Sequence, residues 1–176
     1  PVVLFFMDAP GKREELHEMA RRIGTVGYYV MLPNLYYRTD RYWQMVWDDP
    51  EGPKAMARMA MTLDYDTLRI DTAALLSLTA QDPAADPDRV GAVGYCMSGR
   101  FAFAAAAMFP DQVKASAYYY STRLGGEQSP AHFASAVKAE CYFAVAEHDE
   151  HIADEVTTEF AAHLEQAGVD ARFEWY

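Results

Sequence analysis

The sequence predicts an α/β protein built on a mostly parallel, doubly wound sheet. Short apolar runs rich in β-branched and aromatic residues recur along the chain, and segments with apolar residues at three- and four-residue spacing separate them. Pro and Gly mark most of the boundaries. Because strands that alternate with helices are joined by right-handed crossovers, we expect the strands to lie parallel, with helices on both faces of the sheet.

The elements follow in order. The apolar runs predict six strands, at residues 2–7, 28–32, 90–95, 113–120, 141–146 and 171–176. The helical patterns between them cover residues 12–26, 53–81, 97–109 and 152–168. The second of these helical patterns is interrupted near Asp64. Residues 34–52 are rich in aromatic residues and show no helical or strand periodicity, which indicates an ordered excursion over the sheet. Residues 121–138 are predicted to be mostly loop, with a helical turn near 131–137.

Composition limits the possible functions. The chain has 176 residues, 51% of them hydrophobic, which suits one globular domain over residues 1–176. Both ends fall in strand-like runs, so we expect N- and C-terminal parts of that domain to be absent. A formal charge of −11 disfavours nucleic acid and anionic membranes as partners, and no apolar run reaches the ~18 residues of a membrane span. Two cysteines cannot form a disulfide framework, which points to a reducing, cytoplasmic location.

The segment 94–99 carries the strongest chemical signal. It joins a buried strand to a helix with almost no loop, and small residues flank Cys96. This is the layout of a nucleophile elbow, in which a tight turn presents the side chain above the sheet. The helix N-terminus favours a thiolate, and the N–H of Met97 can stabilise an oxyanion. The alternative is a cysteine that only packs in the core, and we accept that interpretation for Cys141.

The Gly-Tyr-Cys-Met-Ser-Gly motif at 94–99 resembles the elbow of the dienelactone hydrolase family, and the similarity extends over essentially the whole chain. The resemblance implies the α/β-hydrolase fold and a cysteine nucleophile. Residues 33–38, Pro-Asn-Leu-Tyr-Tyr-Arg, resemble the family's Pro-Asp-Leu-Tyr segment, with Asn34 in place of the acid. The resemblance makes Arg38 a candidate for holding a substrate carboxylate, whereas an exposed surface arginine is the alternative.

The turn at 8–11 resembles the family turn whose glutamate contacts the resting thiol and moves on substrate binding. Asp8 occupies that position with a shorter side chain, and the resemblance makes the N–H of Ala9 the second oxyanion donor. An ordinary turn aspartate is the alternative for Asp8. Three tyrosines end the fourth strand near the expected cleft, and Tyr119 is our candidate for a substrate contact.

The acid of a catalytic triad is expected after the nucleophile, on the turn that follows a later strand. Asp149 fits this position, with Glu147, Glu150 or a helix-capping role as alternatives. None of the five histidines follows the last strand, so the resemblance implies a catalytic histidine beyond Tyr176. A metal site at His148 and His151 is a weaker interpretation because a third ligand is lacking, and we predict neither metal nor cofactor.

Together these features predict a cofactor-independent hydrolase that cleaves a small ester or lactone through an acyl-cysteine. The substrate class is inferred from the family resemblance, and the mechanism is inferred from Cys96. Two alternatives remain open: a non-catalytic binding domain on the same fold, or a hydrolase of thioesters or other acyl groups. The sequence gives no indication of the oligomeric state.

Overall fold

The computed structural model describes residues 1–149 and 151–176. Its strands are β1 (Val2–Phe6), β2 (Tyr29–Met31), β3 (Val90–Tyr95), β4 (Val113–Tyr119), β5 (Glu140–Val145) and β6 (Ala171–Trp175). Its α-helices are α1 (Glu14–Thr25), α2 (Gly52–Ala60), α3 (Tyr65–Thr79), α4 (Gly99–Met108) and α5 (Asp154–Gln166). All six predicted strands are confirmed within two residues at each end. The predicted interruption at Asp64 is also confirmed, because this residue caps α3 by accepting a hydrogen bond from the N–H of Thr67 at 2.7 Å.

The six strands form one parallel sheet in the order β2-β1-β3-β4-β5-β6. The chain moves outward from β1 to β2 and then returns past β1 to β3, so the direction of progression reverses between these two adjacent strands. At such a switch point the loops after the two strands diverge to opposite faces and leave a crevice at the carboxyl edge. The turn after β1 and the segment after β3 therefore meet at the place where this fold binds ligands.

One face of the sheet is covered by α4, which packs against β1, β3 and β4. Residues 102–107 of this helix are five alanines and one phenylalanine, all buried, so the helix backbone can approach the sheet closely. Aromatic side chains fill the remaining space between β4, β5, α4 and α5. They are Phe103, Tyr118, Phe143, Phe160 and Phe173.

The opposite face of the sheet carries α1. This face also has an open groove of about 660 Å³ lined by β1, β3, β4 and β5, and α1 borders this groove through Ile23. Small side chains such as Ala115 and Ala117 form its floor, and the rings of Tyr95 and Tyr119 stack on it with their centroids 4.9 Å apart. The predicted α/β architecture, a parallel sheet flanked by helices, is confirmed, and on this face α1 packs beside β2.

No helix among the described residues is long and apolar enough to cross a bilayer.

Candidate active site

Cys96 lies at the carboxyl end of β3, in the crevice between β1 and β3. Its backbone has φ 53°, the left-handed region that a residue with a side chain rarely adopts. Such strain costs about 1–3 kcal/mol and persists where the surrounding structure enforces it. A short 3₁₀ turn at 96–98 leads into α4, which begins at Gly99 rather than at residue 97 as the sequence predicts. The strand, the strained turn and the helix are the arrangement of a nucleophile elbow.

Contacts with neighbouring backbone hold the elbow in place. The hydroxyl of Ser98 is buried and lies 2.6 Å from the carbonyl oxygen of Met7 and 3.0 Å from that of Phe6, at the end of β1. Gly94 leaves no room for a side chain, since a Cβ there would lie 2.0 Å from the carbonyl oxygen of Ser98. Close packing of β1, β3 and the start of α4 therefore fixes where the sulfur of Cys96 lies.

The backbone N–H groups of Met97 and Ala9 lie near the sulfur of Cys96, and both act to lower the pKa of the thiol. The two donors come from different loops, and Tyr36 links these loops. Its buried hydroxyl donates to the carbonyl oxygen of Ala9 at 2.8 Å and lies 3.5 Å from the sulfur of Met97. The geometry thus brings together both donors that the sequence analysis predicted.

The resting thiol differs from our expectation. Burial raises the pKa of Cys96, and the carboxylates of Asp8 and Asp149 raise it further, against the lowering effect of the two N–H groups. This direction is opposite to the expected preference for a thiolate, because burial and the two carboxylates outweigh the two N–H groups. A reaction at Cys96 therefore needs a base to remove the thiol proton.

Asp8 lies close enough to Cys96 to act on its pKa, yet its carboxylate binds another residue. Both of its oxygens accept hydrogen bonds from Arg13, at 2.5 and 2.9 Å, and both side chains are mostly buried. This ion pair raises the pKa of Arg13. Arg13 was not a candidate in the sequence analysis, although the five-residue spacing across a turn could have indicated such a pair.

We expect Asp8→Asn to lower the pKa of Cys96, because it removes a negative charge that destabilises the thiolate while the positive charge of Arg13 remains. The rate of iodoacetamide alkylation, measured from pH 6 to 11, should rise at lower pH in this variant than in the wild type. Asp88→Asn is the matched control, because Asp88 is exposed and precedes β3 at the opposite edge of the sheet. An unchanged alkylation profile in Asp8→Asn would contradict the role given to this carboxylate.

Asp149 follows β5, as predicted for the acid, and is partly buried. One of its oxygens accepts a hydrogen bond from the N–H of His151 at 2.8 Å, and its charge reaches Cys96. Of the alternative acids, Glu147 is exposed and Glu150 lies outside the described residues. Among residues 1–149 and 151–176, no histidine side chain hydrogen-bonds Cys96 or Asp149, and no cluster of three potential metal ligands occurs.

The comparisons with known proteins concern the family and the fold of the chain. The model of the dienelactone hydrolase family matches residues 1–176. The chain belongs to the dienelactone hydrolase family. A Synechocystis protein named "Putative carboxymethylenebutenolidase" is 24% identical over 120 residues, which are 68% of this chain and 48% of that protein. The chain therefore spans about half the length of this curated relative.

Solved structures share the fold. A "Putative Dienelactone Hydrolase" from Klebsiella pneumoniae superimposes with a TM-score of 0.84 at 23% identity, over 100% of this chain and 73% of that one. A dienelactone hydrolase-like promiscuous phosphotriesterase from metagenomic libraries gives a TM-score of 0.78 at 19% identity, over 100% of this chain and 69% of that one. At these identities the likeness establishes the α/β-hydrolase fold.

Arg38, the residue of the family's Pro-Asp-Leu-Tyr segment, lies in a bidentate ion pair with Asp71, with both N–O distances 2.7 Å. Its guanidinium also stacks on the ring of Tyr37. A substrate carboxylate would have to compete with Asp71 for this arginine, and its contact with substrate stays a prediction. The same holds for Tyr119, which stacks on Tyr95 in the open groove. The neighbouring Tyr120 lies nearer to Cys96, and burial raises its pKa, as do the charges of Asp8 and Cys96.

Proposed function

We propose that this member of the dienelactone hydrolase family cleaves a small ester or lactone through an acyl-cysteine formed at Cys96. The observation that carries the proposal is the strained φ of 53° at Cys96 together with two N–H groups that face its sulfur. A buried thiol with an ordinary packing role needs neither feature. Backbone donors aimed at a reacting centre are the usual means of stabilising the oxyanion in acyl transfer.

In the proposed first step, the sulfur of Cys96 loses its proton and attacks the carbonyl carbon of the substrate. The carbonyl π electrons move to oxygen, and the N–H groups of Met97 and Ala9 stabilise this oxyanion. When the carbon–oxygen double bond reforms, the bond to the alcohol oxygen breaks, and that oxygen takes up a proton. In a lactone the leaving oxygen stays attached to the acyl chain. Water then attacks the thioester and releases the acid and the Cys96 thiol.

The base is the part of the mechanism for which the described residues offer no candidate. We propose a histidine outside this sequence, as the family resemblance implies, with Asp149 holding it in the required tautomer. The raised pKa of Cys96 supports the need for such a base, because burial favours the protonated thiol. Catalysis by a free thiol also fits a protein of a reducing compartment such as the cytoplasm, where the thiol stays reduced.

Trapping the acyl-enzyme tests this function. We expect p-nitrophenyl acetate to release about one equivalent of p-nitrophenol and to leave one acetyl group on the protein, found by peptide mass spectrometry on Cys96 and not on Cys141. Acetylation confined to surface lysines, or no stoichiometric release, would contradict the proposal and favour a non-catalytic binding domain. Faster release from a thioester of the same acyl group than from the ester would favour the thioesterase alternative.

A further inference from the structure

Arg100 is a buried cation next to the nucleophile elbow. It belongs to the first turn of α4, its residue is 2% exposed, and its Nε lies 3.3 Å from the carbonyl oxygen of Met97. Its guanidinium also lies over the rings of Phe101 and Tyr65, at 4.4 and 5.4 Å from their centroids. These contacts orient the guanidinium but supply no opposite charge.

The charge of Arg100 is unusual in this protein. Arg13, whose side chain is 16% exposed, forms a bidentate pair with Asp8, and the exposed Arg38 forms one with Asp71. Arg100 has no carboxylate within ion-pair distance among residues 1–149 and 151–176, although the chain carries 26 acidic residues. A buried charge without a partner is costly, and such groups are found where a ligand supplies the opposite charge.

A second arginine lies beside the first. Arg123, which is exposed and has a φ of 63°, is bound to the same acceptor as Arg100, the side-chain oxygen Oε1 of Gln128. The two Nη1–Oε1 distances are 2.6 Å for Arg123 and 3.2 Å for Arg100. The positive charge of Arg123 adds to burial in lowering the pKa of Arg100, so the two guanidinium groups repel each other.

The position of this pair relates it to the active site. The N–H of Thr122, the residue before Arg123, donates to the carbonyl oxygen of Cys96 at 3.3 Å. Arg100 binds the carbonyl of Met97, the residue after Cys96. Arg100 and the residue before Arg123 are therefore bonded to two consecutive backbone carbonyls, those of Met97 and Cys96. The exposed side chains of Arg123 and Gln128 leave the site open to solvent.

We propose that Arg100 and Arg123 together bind one oxyanion group of a small ligand, in the place that Oε1 of Gln128 now occupies. A neutral amide oxygen is a weak partner for two cations, and a carboxylate or phosphate oxygen carries the charge that both lack. A guanidinium group can donate two hydrogen bonds at once to the oxygens of a carboxylate or a phosphate. If the bound group is part of the ester substrate, the inference rests on the proposed function. The binding of an anion by these two arginines does not depend on that function.

Titration of the Cys96→Ala protein with inorganic phosphate, at an ionic strength held constant with sodium chloride, tests the site. Calorimetry should show saturable binding to one site. Arg123→Gln in the same background should weaken it about tenfold or more, since one of two charged donors is lost. Arg58→Gln is the matched control, because Arg58 is an exposed arginine of α2 without an ion pair among the described residues. Arg100→Lys keeps the positive charge but loses the paired N–H donors of the guanidinium group, so it should also weaken phosphate binding.

The absence of saturable binding, or equal affinities in the Arg123→Gln and parent proteins, would overturn the proposal. Protection of wild-type Cys96 from iodoacetate by phosphate identifies the bound group as part of the substrate, and binding without protection identifies a separate small anion; both results support the site. Because the titration uses a protein without the nucleophile, failure of ester cleavage would count against the proposed function alone.

Discussion

Cys96→Ala is expected to lower the first-turnover release of p-nitrophenol from p-nitrophenyl acetate by at least about a thousandfold, because no other described group combines a nucleophile with the two oxyanion donors. The donors and the crevice remain in the variant, so any residual rate measures what they contribute without covalent attack. Stopped-flow absorbance gives the rate, and circular dichroism establishes that the fold is retained.

Cys141→Ala is the matched control for this experiment. Cys141 is 1% exposed within β5, and burial raises its pKa to about 12, so it neither reaches the substrate nor forms a thiolate near neutral pH. Its removal should leave the release rate unchanged within about a factor of two. Comparable losses in both variants would show that the effect comes from stability, and full activity in Cys96→Ala would refute acyl-cysteine catalysis.

Gly94→Ala is expected to destabilise the protein by about 3 kcal/mol or more and to abolish alkylation of Cys96. The added Cβ would lie 2.0 Å from the carbonyl oxygen and 2.4 Å from the carbonyl carbon of Ser98. Both atoms belong to backbone that is tied to β1, so no side chain can move aside. Relief requires the 3₁₀ turn to shift away from β3, which displaces the sulfur from its N–H donors.

Gly91→Ala provides the comparison within the same strand. There a Cβ meets its nearest atom, the carbonyl oxygen of Ala115, at 3.6 Å, an ordinary van der Waals distance. We expect a change in unfolding free energy below about 1 kcal/mol by urea denaturation, with alkylation of Cys96 retained. Similar stabilities of the two variants would contradict the view that close packing of β3 against the elbow fixes the nucleophile.

The sequence was sufficient to predict the elements and the strand–turn–helix geometry at Cys96, because both depend on local patterns. Apolar runs predict the strands, and apolar residues at helical spacing predict the helices. The tight turn at Cys96 is predicted by small residues placed where a helix directly follows a strand. The chemical state of the thiol could not be predicted in this way. It depends on Asp8 and Asp149, which reach it from the ends of other strands, and on burial produced by the whole fold.

The remaining site residues depend on contacts between distant parts of the chain. Tyr36 links the two donor loops through its hydroxyl, and nothing in the aromatic segment around it distinguishes it from Tyr37. Arg100, like Arg13, gave a usable signal in the sequence that we did not interpret. It is the single charged residue in the otherwise apolar helix α4, where every side chain from 99 to 107 is buried.

The position of β1 in the sheet has a consequence for synthesis. Its partner β3 comes after α1, β2, α2 and α3 in the chain, with Val2 aligned beside Val90. While the protein emerges from the ribosome, β1 therefore has one unpaired edge until β3 is complete, and its side chains are strongly apolar. Nascent chains that stop before β3 expose this unpaired strand edge, which promotes aggregation. Because β1 pairs with a strand distant in the chain, we expect folding to be slower than that of a helical bundle.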